Sequence, residues 1–261
     1  MKLLPKQVIG MAIIGAALLL VIVEKLIFSS DPAVQQLSQV FATADLAEPL
    51  GRDHLGRSNF ARLSDAIVTS LSLAWLSVLT SAALGIAAGV LAGWRRGWWD
   101  RSFSFVMNII LAMPGLILVL LFAALVPGSF TILYVAIALI LWVEFFRVVR
   151  NRTLSLVNSP EVEASVLYGF GSWYVFKRHI WSHCRQDVFM LCCFGAGNTI
   201  LALASLGFLH VGLKPPEAEL GLMMVELFRY YQVAPWVLAQ PLIALFVLVL
   251  GFHLLASGEK S

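Results

Sequence analysis

The sequence predicts an all-α, polytopic membrane protein with six transmembrane helices, and three observations carry that prediction. Hydrophobic residues make up 60% of the 261-residue chain and charged residues only 13%, with a mean hydropathy of +0.87. A soluble domain carries about one quarter charged residues, so this chain lacks the charge to coat a water-facing surface. Six apolar runs stand out, several reaching the ~20 residues that cross a bilayer core as helix. Within each run the apolar character is continuous, whereas a barrel strand would alternate every second residue.

The runs are Val8–Phe28, Ile67–Trp94, Phe103–Val126, Ile132–Val149, Val188–Leu209 and Trp236–Leu255. The first follows Lys2 and Lys6; the small-residue stretch Ala42–Ala44 resembles a cleavage site but lies well past the end of the run. It is therefore expected as a retained signal anchor rather than a cleaved signal peptide. Residues 1–60 form an N-terminal helix with an outer segment, and residues 61–261 a core of five helices. Glu24 and Lys25 close the first run as expected interfacial anchors.

The second run carries Ser81, Gly85, Gly89 and Gly93 at four-residue spacing, a stripe that lets membrane helices approach closely. Its partner, a helix of this chain or of another subunit, is left open by the sequence. Pro114 in the third run and Pro241 in the sixth are placed to bend their spans.

Charge placement sets the orientation. With the N-terminus inside, one face holds Lys2, Lys6, Arg95, Arg96, Arg101, Arg147, Arg150, Arg152, Lys177, Arg178, Arg185 and Lys260. The other holds Arg52, Arg57, Arg62, Lys214 and Arg229, with Lys25 near the outer end of the first run. The excess of cations puts both termini in the cytoplasm, together with the long connection at about 150–185. The net charge of +3 is too small to argue for nucleic acid.

That connection contains "SPEVEASVLYGFGSWYVFKRHI", Ser159–Ile180. Ser159 can cap a helix, Pro160 suits its first position, and Glu161 and Glu163 favour the positive end of its dipole. Gly169 or Gly171 can then end or bend it. Tyr168, Phe170, Trp173, Tyr174 and Phe176 crowd around the bend, which suits either a docking knob for a soluble partner or a helix lying on the membrane.

This segment resembles the EAA loop of ABC-importer permeases: Glu163-Ala164-Ser165, three residues, Gly169, and later Ile180, with Trp181-Ser182 in place of the usual Leu-Pro. "PLGRDHLGRSNFARL", Pro49–Leu63, and "SLGFLHVGLKPPEAELG", Ser205–Gly221, resemble two further signatures of the dipeptide/oligopeptide/nickel permeases. "APWVLAQPLIALFVLVLGFHLLASG" is similar to their last span, although the tail stops at Gly258-Glu259-Lys260-Ser261. The resemblance implies a type I ABC-importer permease in the bacterial inner membrane. It implies a second homologous permease subunit, two cytoplasmic ATPase subunits and an extracytoplasmic solute-binding protein as partners. It also implies that Glu163, Ala164, Ser165, Gly169, Phe170 and Gly171 couple the chain to an ATPase.

No phosphate-binding loop is present, since none of the lysines follows a glycine. No cofactor is therefore expected on this chain; ATP and its magnesium are expected on the ATPase subunits, and the chain is not expected to be an enzyme. Glu144 and His210 are candidates for the pathway or its gate, with Arg147 a possible intrahelical partner of Glu144. His179, His183 and Cys184 have ligand-type side chains at helical spacing but no carboxylate placed as general base, and are read as ordinary loop residues rather than a metal site. Cys184, Cys192 and Cys193 suggest no disulfide framework. A stand-alone secondary transporter is the alternative, which would favour an inverted repeat and midplane charges. The cargo is open between a peptide and nickel or a metal chelate, with a lean toward the smaller cargo because the outer loops are short.

Overall fold

The computed structural model describes residues 4–257. Lys2, Lys260 and the Gly258–Ser261 tail lie outside the described residues. Ten α-helices are described, and no strand. Five helical stretches are long and apolar enough to span a bilayer: Pro5–Phe28, Asn59–Arg95, Phe130–Val157, Ser172–Phe208 and Pro235–Ala256. The remaining expected span, the third run, is broken into α3 (Gly97–Leu111) and α4 (Gly115–Leu125), inclined by 80°. Pro114 does more than bend this segment. It stands in extended conformation at the head of α4 and interrupts the ladder, because proline offers no N–H to continue it.

Helix α1 (Pro5–Val23) widens into a π-type turn over Glu24–Phe28, which Ser29 ends at a φ of 47°. Its Gly10 lies against Gly251 and Leu255 of α10 (Pro235–Ala256), so the N-terminal helix is seated on the C-terminal one. Pro241 is accommodated inside α10 without ending it. Glu24 is buried within the chain, and its Oε1 accepts the Ser30 N–H at 3.3 Å. Lys25 pairs with Asp65 at 2.5 Å.

The longest helix, α2 (Asn59–Arg95), packs most extensively against α5 (Phe130–Val157). The small-residue stripe forms this seam within the chain. Ser81 Oγ donates to the Ala138 carbonyl at 2.7 Å, and Gly85, Gly89 and Gly93 face Phe145, Val149 and Thr153 in turn. Both series ascend, so α2 and α5 run parallel, with the broken α3–α4 segment as the return. A Cβ at Gly85 would stand 2.5 Å from that of Phe145, and one at Gly89 2.9 Å from that of Val149. The backbones come this close only because these positions carry no side chain.

Helix α5 leads into the short α6 (Pro160–Leu167) and the single turn α7 (Ser172–Val175). A π-type turn over Phe176–Ile180 then feeds α8 (Trp181–Phe208). Helix α9 (Leu220–Phe228) precedes α10. The core lies where α2, α5, α8 and α10 meet, around Leu73, Leu133, Phe145, Ile200, Leu203 and Phe252. The loop over 29–58 and α9 belong to one end of the bundle, and α6 and α7 to the other.

Candidate functional site

Helix α6 begins as the sequence requires, with Pro160 in its first turn beside Glu161 and Glu163. The Ser159 hydroxyl, however, makes no capping bond; its backbone carbonyl accepts the Val162 and Glu163 N–H groups at 3.1 and 3.0 Å. The helix ends at a left-handed Gly169, φ 81°. The Phe170 N–H reaches back to the Ser165 carbonyl at 3.1 Å and the Gly169 N–H to that of Val166 at 2.9 Å, which together form a Schellman cap. A Cβ at Gly169 would meet nothing within 4 Å, so glycine is required here for its φ rather than for space within the chain. Gly171 heads α7, its carbonyl accepting the Tyr174 N–H at 3.0 Å.

Three buried apolar side chains and a polar brace hold the segment in place. Val162, Val175 and Ile180 are buried beneath it. Ser165 Oγ donates to the Glu161 carbonyl at 3.0 Å and lies 2.8 Å from His179 Nε2, while His179 Nδ1 lies 3.6 Å from Glu161. Of the residues singled out in the sequence, Glu163, Ala164, Gly169, Phe170 and Gly171 are exposed together on this projection, and Ser165 faces inward as its brace. His183 Nδ1 bonds the His179 carbonyl at 2.7 Å, so the histidines are engaged locally. Leu167, Tyr168 and Trp173 are 81%, 83% and 73% exposed, and Phe170 stacks on Tyr174 with ring centroids 4.3 Å apart. These large apolar side chains stand open beside the left-handed turn at Gly169.

The opposite end carries a site that sequence reading missed. Asp53 and Glu226 alternate with Arg57 and Arg62 in a closed ring. Asp53 Oδ2 accepts from Arg57 Nε at 2.6 Å and from Arg62 Nη1 at 2.8 Å; Glu226 Oε2 accepts from the same two side chains at 3.0 and 2.6 Å. Asp53 Oδ1 meanwhile accepts the N–H groups of Leu55 and Arg57. Burial pushes the Asp53 carboxyl up, but these N–H bonds and the two guanidinium groups outweigh it and hold it below its ordinary value. Beside the ring, Glu48 accepts from Arg52 at 2.9 Å and from Ser58 Oγ at 2.5 Å. His54 stacks on Tyr230, and burial pushes its imidazole below the usual value. Glu219 caps α9 through both carboxylate oxygens, each 2.9 Å from a backbone N–H; burial nevertheless raises its carboxyl above the usual range. The i, i+4 spacing of Asp53 and Arg57 was visible in the sequence, whereas nothing in it pointed to Glu226.

Glu144 stands at the midpoint of the 28-residue α5, half-buried, and deeper than its distance from the end of the apolar run suggested. Its expected pairing with Arg147 does not form among the described ion pairs; Arg147 points outward one turn on. A cavity of about 220 Å³ opens beside Glu144 between α4, α5 and α8, with Gly115, Asn198 and Thr199 in its wall. His210 occupies a left-handed turn after α8, φ 59°, and is exposed. Thus the structure does not bring the two pathway candidates together.

A family model described as binding-protein-dependent transport system inner membrane component matches residues 85–257. The chain is 33% identical over 211 residues to the glutathione transport system permease protein GsiD of Pectobacterium atrosepticum, covering 81% of this chain and 70% of that one. It is 28% identical over 253 residues to the dipeptide transport system permease protein DppC of Alkalihalophilus pseudofirmus, covering 97% and 83%. GsiD of Escherichia coli O157:H7 is 30% identical over 210 residues, covering 80% and 69%.

Proposed function

The chain belongs to the family of binding-protein-dependent transport system inner membrane components, and we propose that it forms half of the translocation pathway of a short-peptide importer, coupled through α6 to a separate ATPase. The observation that carries the coupling role is the exposed apolar surface of Leu167, Tyr168 and Trp173, mounted on a helix closed at Gly169. A second homologous permease subunit completes the pathway, two ATPases bind and hydrolyse ATP-Mg, and an extracytoplasmic receptor delivers cargo. Both termini and α6 lie on the cytoplasmic side, as the distribution of Lys and Arg favours. The Asp53–Glu226 ring then lies on the outer face.

A peptide is preferred to nickel or a metal chelate because the relatives are named for glutathione, itself a peptide, and for dipeptides. The stand-alone secondary transporter is set aside on family membership. ATP binding and release shift the two permease subunits between inward- and outward-facing states, through contacts at α6 that differ between those states.

The test is purification of the tagged chain from its native membrane in mild detergent, beside a Gly169→Asp variant. Co-purification of an ATPase and a second permease, with loss of the ATPase from the variant, is the expected result. A chain that comes out alone, or a variant that keeps every partner, overturns the coupling role of α6.

A further inference from the structure

Glu144 stands at the centre of the span Phe130–Val157; Arg147 on the next turn is within electrostatic reach, but no described side chain donates a hydrogen bond to the carboxylate. An ionisable group at that depth turned toward lipid is unfavourable, so the α4–α5–α8 wall that carries it borders water, cargo or another subunit. Two further features single out this wall. Asn198 on α8 opens onto the same cavity and is exposed within the chain. The non-helical break at Ala112–Pro114 lies just before Gly115, which also lines the cavity. Interrupted backbone at membrane depth is tolerated where protein or a polar cavity can satisfy it.

We propose that Glu144 receives the terminal ammonium of the peptide cargo as it passes, with the Asn198 amide bonding the neighbouring peptide carbonyl. This assignment rests on the peptide reading above. A carboxylate complements an ammonium, whereas an amide, which both donates and accepts, complements the adjoining peptide group. The cavity of about 220 Å³ has room for the first residue of such a cargo.

The test uses the complete transporter, with its partner permease, ATPases and receptor, reconstituted in proteoliposomes. The measurement is labelled dialanine taken up per ATP hydrolysed. Glu144→Gln is expected to lower that ratio by about tenfold, as loss of one charged contact does, and Glu144→Asp to restore most of it. Asn198→Lys, which supplies the carboxylate with a resident ammonium, is expected to assemble and to block uptake. A Glu144→Gln complex with an unchanged ratio, or one that fails to assemble and so places Glu144 in the subunit seam, overturns the assignment. So does an Asn198→Lys complex that transports normally. If the unaltered complex takes up no dialanine, the peptide reading and the assignment fall together; if it does, only the assignment is at stake.

Discussion

Arg62 and Glu226 stand 164 residues apart in the chain and meet at 2.6 Å, joining the first turns of α2 to α9. Arg62 is 2% exposed and Asp53, its other partner, not at all, so the ring is a buried one with two positive and two negative members. Each guanidinium touches both carboxylates, and no charge is left uncompensated.

Removing one member therefore leaves a buried charge without its partner. Asp53→Ala is expected to destabilise the chain by about 3–5 kcal/mol, the cost typical of breaking a buried pair. The lysine–aspartate pair Lys25–Asp65, with its ammonium half exposed, supplies the comparison: Lys25→Ala is expected to change stability by less than about 1 kcal/mol. Thermal unfolding of the purified protein in detergent measures both.

The same ring gives stability a sign in pH. The folded Asp53 carboxyl lies below its free value of 3.8, so the folded state binds fewer protons there than the unfolded one. The stabilisation is complete above pH 3.8 and is lost as pH falls from there through the folded value. Melting temperature plotted against pH should show this loss, and Asp53→Asn should remove that component of the curve.

Gly85 and Gly89 make the α2–α5 seam intolerant of side chains. Gly85→Val is expected to cost about 1–3 kcal/mol or more, as overpacking does, because its Cβ would stand 2.5 Å from that of Phe145. Gly15→Val, whose Cβ would meet nothing within 4 Å, is the control expected to fold normally. Yield of monodisperse protein and its thermal midpoint distinguish them.

Gly169 separates backbone demand from partner demand. Valine at φ 81° costs about 1–2 kcal/mol, and Gly169→Val is expected to loosen the end of α6, seen as faster proteolysis between residues 165 and 172. Asparagine tolerates that φ, so Gly169→Asn is expected to keep the turn. If α6 seats in an ATPase groove, the asparagine variant keeps its protease resistance yet binds the ATPase more weakly.

The sequence by itself determined the helical membrane class, the approximate spans and the short helix that starts at Pro160 and is closed by Gly169. These depend on features local in the chain: apolar length, proline and glycine position, and acidic residues at a helix start. It placed Ser81, Gly85, Gly89 and Gly93 on one face, since helical spacing alone does that. Tertiary structure decided that this face meets α5 in parallel, that Pro114 breaks its span, and that Ser165 turns inward to His179. It also closed the ring on Glu226 and left Glu144 without Arg147. Pairings across more than a hundred residues carry no periodic signature, because they are fixed by how whole helices pack rather than by the spacing within any one of them.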